Sequence, residues 1–178
     1  MTEPRLRIVA GAWKSRRLVI VDGSRPTAER AREALFAIFG ESIVGRRVLE
    51  LFAGSGAVSL EALSRGAASA TAVDIDTRAL EENRLSLDAS IELVRGDACD
   101  AVRRFVAERR RYDVIFLDPP YAETRLPPLA DLARLLAPGG RIVWQSDAGS
   151  EPGLVEPFRA ARTARYGRNV FTFVEPER

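Results

Sequence analysis

From Arg46 onward, short apolar segments alternate with segments of helical periodicity, and this alternation most constrains the fold. The five candidate strands are Val48–Phe52, Ala70–Asp74, Ile91–Val94, Val114–Leu117 and Arg141–Gln145. The four candidate helices between them are Val58–Ser64, Arg78–Leu87, Ala101–Glu108 and Leu126–Leu136. Repeated strand–helix units form parallel sheets with helices on both faces, because a parallel connection must cross back over the sheet.

The last part of the chain has a different pattern. Phe158–Arg162 and Val170–Val174 are candidate strands joined by a turn at Tyr166-Gly167-Arg168-Asn169, and an antiparallel pair at one edge of the sheet would accommodate them. The sequence therefore predicts an α/β fold with a doubly wound, Rossmann-like, mostly parallel seven-stranded sheet that has an antiparallel edge strand.

The N-terminal part is predicted to be separate from this sheet. Leu6–Ala10 and Arg17–Val21 flank a turn and suggest a small β-hairpin. Thr27 is a candidate N-cap for a helix whose apolar residues recur up to Phe39, and Gly40 would end it. We expect a basic hairpin extension over residues 1–24 and a main domain over residues 25–178.

The lack of histidine and of a second cysteine restricts the catalytic and metal sites that the chain can form. The chain has no histidine, which excludes histidine bases and histidine-containing metal sites, and Cys99 is its only cysteine. We therefore expect no metal and no intrachain disulfide. No apolar run approaches the 18 residues of a membrane span, and the N-terminus lacks the apolar core of a secretory signal, so a cytoplasmic location is expected.

Charge is distributed unevenly along the chain. Residues 1–32 contain eight basic and three acidic residues, a net charge of +5, and because the whole chain carries +2, the remainder carries −3. A basic arm on a mildly acidic body suggests a polyanionic partner, although an ordinary solvated surface would have the same composition.

The first candidate strand ends in a Gly54-x-Gly56 turn that opens a helix, a pattern that brings backbone close to a ligand. Eighteen residues later Asp74 ends the next strand, where a carboxylate can accept hydrogen bonds from ribose hydroxyls; a metal-binding Asp-x-Asp is less favoured at this place. The pattern suits nicotinamide enzymes and S-adenosylmethionine enzymes, but Ser59 replaces the third glycine of the dinucleotide motif. Glu50 lies inside the strand and needs a partner, either a ligand ammonium group or a backbone amide.

Asp118-Pro119-Pro120-Tyr121 follows another candidate strand. Prolines cannot donate to a strand ladder, so the segment forms a stiff loop with a carboxylate, carbonyls and an aromatic ring at the carboxyl edge of the sheet. Ligands bind at this edge in open α/β sheets. In a doubly wound sheet the two strands are neighbours, and both loops would face one crevice.

These motifs resemble the RsmD family of class I S-adenosylmethionine-dependent methyltransferases. The matching segments are Glu50-x-Phe52-x-Gly54-x-Gly56, residues 52–57 and 60–67, Asp118-Pro119-Pro120-Tyr121, Arg25-Pro26-Thr27 and Arg30-x-Arg32-Glu33. The sequence departs from the family at Glu50, where Asp is more usual, and in the segments around Asp74 and Asp97.

The resemblance implies transfer of a methyl group from S-adenosyl-L-methionine to N2 of a guanine in 16S ribosomal RNA. We expect a monomer whose RNA substrate lies within a partly or fully assembled small ribosomal subunit, with free RNA as the open alternative. The implied cofactor-binding residues are Glu50, Phe52, Ala53, Gly54, Ser55, Gly56, Asp74, Ile75, Asp97 and Ala98. Of these, Glu50 would face the methionyl ammonium group, Asp74 the ribose hydroxyls and Asp97 the adenine amine.

The implied catalytic residues are Asp118, Pro119, Pro120 and Tyr121. Asp118 and the Pro119 carbonyl would accept hydrogen bonds from the base amino group, and Tyr121 would stack on the base. The implied RNA-binding residues are Lys14, Arg16, Arg17, Arg25, Thr27, Arg30 and Arg32.

Three other functions are compatible with parts of the pattern. DNA adenine-N6 and cytosine-N4 methyltransferases use a similar Asp-Pro-Pro-Tyr loop, but 178 residues leave little room for a target-recognition domain. A non-enzymatic ribosome-binding factor would not need both loops. A nicotinamide oxidoreductase is disfavoured by Ser59 and by the missing histidine.

Overall fold

One mixed sheet of seven strands organises the structure, a computed structural model that describes residues 6–20, 29–120, 124–154 and 157–177. The strands are β1 (Leu6–Arg7), β2 (Arg17–Leu18), β3 (Arg47–Leu51), β4 (Ser69–Asp74), β5 (Glu92–Arg95), β6 (Tyr112–Leu117), β7 (Leu136–Asp147), β8 (Phe158–Tyr166) and β9 (Asn169–Pro176). The helices are α1 (Glu29–Phe39), α2 (Ala57–Ser64), α3 (Arg78–Leu87), α4 (Ala98–Ala107) and α5 (Leu129–Leu135), and a 3₁₀ turn (Gly40–Ile43) follows α1.

The strand order in the sheet is β5-β4-β3-β6-β7-β9-β8. The five strands from β5 to β7 are parallel, whereas β9 is antiparallel to both of its neighbours and lies one position inside the edge strand β8. β1 and β2 form a separate antiparallel pair. The predicted fold, with its small N-terminal hairpin, is confirmed. The predicted boundary between residues 24 and 25 falls outside the described residues.

Successive side chains of the central strands pack in two hydrophobic cores, one on each face of the sheet. In β3, Val48 packs in a core with α1 and α2, while Leu49 and Leu51 pack in a core with α4 and α5 on the opposite face. The hairpin and α3 form a third cluster with α2, through residues such as Leu60 and Leu80. Both faces of the sheet are thus covered, which explains why β3 and β6 are apolar along most of their length.

Some helix and strand limits differ from those predicted. α4 begins at Ala98 because the Asp97 side chain caps it, accepting hydrogen bonds from the amides of Cys99 and Asp100. α5 begins only at Leu129, since two prolines precede it and the residue before a proline is disfavoured in a helix. Leu136 then starts β7, which is longer than the predicted strand Arg141–Gln145.

The N-terminal hairpin, which we define as residues 6–20, is fastened to α2 by buried polar side chains. The Glu61 carboxylate is fully buried and accepts hydrogen bonds from the amides of Val9 (2.8 Å) and Ala10 (3.0 Å). Ser64 Oγ donates to the carbonyl of Ala10 at 2.6 Å. At Gly11, with φ of +84°, a Cβ would lie 1.8 Å from the Ser64 carbonyl oxygen. Glycine is therefore required for this approach.

Arg32 of α1 completes this network. Its guanidinium is fully buried, pairs with Glu61 (Nε to Oε2, 3.5 Å) and donates to the carbonyl of Arg7. Glu61 also accepts from Nε of Arg65 at 2.8 Å. The pair thus joins α1, α2 and the hairpin at one buried point.

Glu61→Ala should destabilise the fold strongly, by about 3–5 kcal/mol, because it leaves a buried guanidinium without its carboxylate. It also removes the acceptor of two hairpin amides. Urea unfolding followed by circular dichroism would measure the loss.

Glu81→Ala is the matched control, since Glu81 pairs with Arg84 on an exposed face of α3. It should leave the unfolding midpoint nearly unchanged. Equal losses in the two variants would contradict a structural role for the buried pair.

Candidate active site

The carboxyl ends of β3 and β6 lie side by side and bring the two predicted loops together. Leu51 is paired with Leu117 in the parallel register, so Phe52 and Asp118 leave neighbouring strands at the same edge of the sheet. Neighbouring strands are about 4.8 Å apart. The structure therefore brings Asp118 next to the start of the glycine turn, which we define as residues 52–56.

The glycine turn has an unusual backbone. Phe52, Gly54 and Gly56 have φ values of 61°, 52° and 72°, and positive φ is uncommon for a residue with a side chain such as Phe52. A Cβ on Gly56 would lie 2.1 Å from Cδ1 of Leu80, whereas a Cβ on Gly54 would meet no described atom within 4 Å. Gly56 is thus required by packing inside the protein, while Gly54 faces open space at the carboxyl edge of the sheet. Such strained backbone commonly occurs at functional sites.

Asp74, at the end of β4, holds this turn. Its Oδ2 accepts a hydrogen bond from the Gly54 amide at 2.7 Å, and its Oδ1 accepts from the Asp76 amide at 2.9 Å. The carboxylate is half-buried. Its predicted contact with ribose hydroxyls would add to these two hydrogen bonds and stays a prediction.

Three other predicted cofactor-binding positions follow the ends of β4 and β5. Ile75, directly after β4, is a large apolar side chain that is 72% exposed. Asp97 is exposed, and its Oδ1 accepts both hydrogen bonds of the α4 cap, while Ala98 is buried behind it. An apolar surface and a carboxylate therefore flank the turn on the side of β4 and β5. Of the remaining predicted positions, Ala53 and Ser55 are buried and Phe52 is half-buried.

Glu50 is a buried carboxylate beneath the turn. It is 3% exposed and accepts a hydrogen bond from the Ser59 amide at 2.8 Å. This is the backbone partner that the sequence left open as one alternative. Burial raises the pKa of Glu50 to about 7, and the charge of Asp118 acts in the same direction, while the bond from Ser59 opposes them. A cationic group bound beside Glu50 would therefore favour its ionised form near neutral pH.

Asp118-Pro119-Pro120 continues directly from β6. Asp118 and Pro119 are half-buried and Pro120 is exposed, so the segment lies at the surface of the carboxyl edge. Tyr121 lies outside the described residues. The described part agrees with a stiff loop that presents a carboxylate beside the glycine turn.

The predicted RNA-binding residues separate into three groups. Exposed residues on the hairpin and α1 are Lys14, Arg16, Arg17 and Arg30. A groove of about 430 Å³ lies between the hairpin and α1, and its basic lining residues are Arg7, Lys14 and Arg30, together with the acidic Glu29 and Glu33. Arg25 and Thr27 lie outside the described residues. Lys14 and Arg30 thus share one groove.

Arg32 forms the third group, and the prediction that it contacts RNA is wrong in this structure. Its side chain is fully buried and paired with Glu61. Charged residues of an amphipathic helix normally face solvent. Arg32 does not, because its partner, the carboxylate of Glu61, is itself buried in the protein.

Sequence reasoning missed three polar residues that fasten the hairpin to α2 and α3, one of which, Asn83, also bonds to the glycine turn. Glu61 and Ser64 occupy buried positions of α2, and Asn83 occupies a buried position of α3. Asn83 bonds to Val19 in the hairpin and to Ser55 in the turn. The available signal was a polar residue on the apolar side of a periodic helix.

No helix among the described residues is long and apolar enough to cross a membrane. In the same part of the chain, no three histidine, cysteine or acidic side chains converge in a way that could hold a metal ion.

Glu50→Gln should stabilise the folded protein at high pH. Between pH 4.5 and about 7 the folded state keeps the Glu50 proton that the unfolded state has lost, so the free energy of unfolding falls as pH rises through this window. Glutamine cannot ionise and removes this loss, which is on the order of 3 kcal/mol at pH 8. Thermal melts at pH 5 and pH 8 would test this, and an equal shift in melting temperature at both pH values would contradict it.

Comparison with known proteins identifies the family. A family model described as "Conserved hypothetical protein 95" matches residues 6–175. "Putative rRNA methyltransferase YlbH" of Bacillus subtilis (strain 168) is 35% identical over 173 residues, 91% of this chain and 94% of the relative. "Ribosomal RNA small subunit methyltransferase D" of Escherichia coli (strain K12) is 39% identical over 124 residues, 66% of this chain but only 61% of the relative.

Comparison with solved structures identifies similar methyltransferases. "Putative methyltransferase yhhF from Escherichia coli" has a TM-score of 0.82 and 30% identity, with coverage of 97% of this chain and 98% of that chain. A more distant structure, a T. thermophilus 16S rRNA N2 G1207 methyltransferase (RsmC) in complex with AdoMet and guanosine, has a TM-score of 0.69 and 22% identity and covers 98% of this chain and 50% of that one. This second likeness shows the fold alone. Because the family model spans nearly the whole chain and the relatives cover most of it, the chain belongs to the family described as Conserved hypothetical protein 95, the RsmD family of methyltransferases.

Proposed function

We propose that the chain transfers a methyl group from S-adenosyl-L-methionine to the N2 amine of a guanine in 16S ribosomal RNA. The observation that carries this proposal is the pairing of β3 with β6, which sets the strained glycine turn beside Asp118 in a member of this family. The small-subunit RNA substrate is that named for the E. coli relative.

The residues around the turn suit the chemical groups of the cofactor. Gly54 leaves open space beside the turn, Ile75 offers an exposed apolar surface for the adenine ring, and Asp74 and Asp97 offer carboxylates for the ribose and the adenine amine. Glu50 supplies a buried negative charge for the methionyl ammonium group once it ionises. The cofactor, when bound, provides an electrophilic methyl group on its sulfonium sulfur.

Asp118 and Pro119 would prepare the nucleophile. The lone pair of a guanine amino nitrogen is conjugated with the ring, so the amine is weakly nucleophilic. Hydrogen bonds from its two N–H groups to the Asp118 carboxylate and the Pro119 carbonyl would favour a pyramidal nitrogen and free the lone pair. The nitrogen becomes cationic on methylation and releases its proton along the bond to Asp118. These contributions are positioning and electrostatic stabilisation, which need no histidine.

Tyr121 would stack on the base and Pro120 would keep the loop stiff. A base must leave its stack to enter such a site, and unpaired RNA segments allow this at low cost. The exposed cations of the hairpin and α1, together with Arg25 and Thr27, would hold phosphates without reading sequence. We further propose a monomer that acts in the cytoplasm on a partly or fully assembled small subunit, with residues 1–24 as the RNA-binding extension of the domain over residues 25–178.

The experiment that tests this function is transfer of labelled methyl from S-adenosyl-L-methionine to three acceptors. They are free 16S RNA, small subunits from cells lacking this modification, and duplex DNA. Wild-type protein should label a ribosomal acceptor, with label recovered as N2-methylguanosine.

Asp118→Asn should lower the rate of methyl transfer by about 10²–10³-fold, because the amide is a weaker acceptor for the base amine. Its affinity for S-adenosylhomocysteine should fall by less than about twofold, since Asp118 is proposed to contact the base. In the experiment with three acceptors, label in DNA alone with the wild-type protein would indicate a DNA methyltransferase instead. Equal loss of cofactor affinity and turnover would contradict the separate roles of the two loops.

Gly54→Ala and Gly56→Ala form a matched pair in the turn. Both positions have positive φ, so each alanine costs about 1–2 kcal/mol in backbone strain. Gly56→Ala also meets Leu80 and should lose more stability. Gly54→Ala points its methyl into the proposed cofactor space, so it should lose more cofactor affinity relative to its stability loss. Calorimetric binding of S-adenosylhomocysteine and thermal melts measure the two effects, and the reverse order would refute this placement of the cofactor.

A further inference from the structure

One buried carboxamide contacts both the N-terminal hairpin and the glycine turn. Asn83, on α3, is 1% exposed. Its Oδ1 accepts a hydrogen bond from the Val19 amide at 2.6 Å, and its Nδ2 donates to the carbonyls of Val19 and Ser55, each at 2.9 Å. Both N–H donors of the amide therefore have a partner, one in each segment.

The contact with Ser55 occurs where the turn needs external support. Ser55 lies between Gly54 and Gly56, both of which have left-handed backbone, so no regular helix or strand satisfies its carbonyl. Asp74 fixes the amide of Gly54 on one side of the turn, and Asn83 fixes the carbonyl of Ser55 next to it. Both side chains thus hold backbone groups of the segment against which a cofactor would lie.

The contact with Val19 occurs at the C-terminal end of the hairpin. Val19 follows β2 directly and is itself 40% exposed, and both of its backbone polar groups bond to Asn83. The paired hydrogen bonds hold this backbone as a neighbouring strand would. Arg16 and Arg17, two of the proposed RNA contacts, lie within three residues of this point.

We propose that Asn83 is a positioning residue that couples RNA binding on the hairpin to cofactor binding at the glycine turn. This proposal rests on the function proposed above. A ligand that orders the turn also orders the carboxamide and so the end of the hairpin. Because such coupling is reciprocal, RNA on the hairpin strengthens cofactor binding by the same factor.

Ser64 provides the matched control. It also fastens the hairpin, through the Ala10 carbonyl and the Trp13 amide, but it is the last residue of α2. The glycine turn is at the other end of this helix, about 10 Å away. Loss of Ser64 Oγ therefore loosens the hairpin without touching the turn.

The test compares wild type, Asn83→Asp and Ser64→Ala, each checked for a cooperative thermal transition. Asn83→Asp keeps the size of the side chain and an acceptor for the Val19 amide, but loses both N–H donors. Affinity for unmodified 16S RNA is measured with and without saturating S-adenosylhomocysteine. In wild type this ligand should tighten RNA binding at least about fivefold. In Asn83→Asp the ratio should fall to within about twofold of unity, while Ser64→Ala weakens RNA binding but keeps the wild-type ratio.

A second measurement needs no variant. Hydrogen exchange of backbone amides in the wild type is followed with and without S-adenosylhomocysteine. Exchange of the Val19 amide, which bonds to Asn83, should slow on ligand binding, whereas the Ala12 amide, which bonds to the Ser64 carbonyl, should not change.

Each outcome decides the proposal. It is overturned if Asn83→Asp keeps the wild-type ratio, if Ser64→Ala loses it equally, or if Val19 exchange is unaffected by the ligand. Wild-type protein that binds neither S-adenosylhomocysteine nor 16S RNA would overturn the proposed function and this coupling together. Wild-type protein that binds both without coupling would overturn the coupling alone.

Discussion

The parallel pairing of β3 with β6 is the constraint on which the candidate site depends. Leu51 opposite Leu117 brings together two loops that are far apart in the chain, and both lie at the edge where α/β sheets bind ligands. The register is strongly specified because both strands are buried on two faces. A slip of one residue would exchange the core contacts of every side chain and turn Glu50 to the opposite face.

Two buried carboxylates, Glu61 and Glu50, have opposite surroundings. Glu61 has an arginine partner and two hairpin amides, so its charge is compensated within the protein and it serves the fold. Glu50 accepts hydrogen bonds from the start of α2, including one from the Ser59 amide, and has the negative charge of Asp118 nearby, and burial raises its pKa to about 7. A buried carboxylate without an arginine partner lowers the stability of the fold when it is ionised. Proteins commonly tolerate this cost at functional sites.

Periodicity predicted most of the helices and strands, and motif spacing predicted which loops would meet. The limits of α4 and α5 were less well predicted, because a cap at Asp97 lengthened one helix and two prolines shortened the other. Arg32 was placed on the surface by its charge, since no local pattern reveals that Glu61 lies opposite it in the folded chain. The roles of the cofactor-binding and catalytic residues stay predictions, although the described ones lie around one edge of the sheet.

The sequence by itself determined the α/β class, the glycine turn and the loop at Asp118, because these follow from local periodicity and from the backbone properties of glycine and proline. Only the tertiary structure decided which polar side chains fasten the hairpin to the rest of the protein. Glu61, Ser64 and Asn83 bond mainly to backbone groups of distant segments, and backbone groups are the same in every residue. Such contacts leave little sequence signal in their partners and become visible only when the chain is folded.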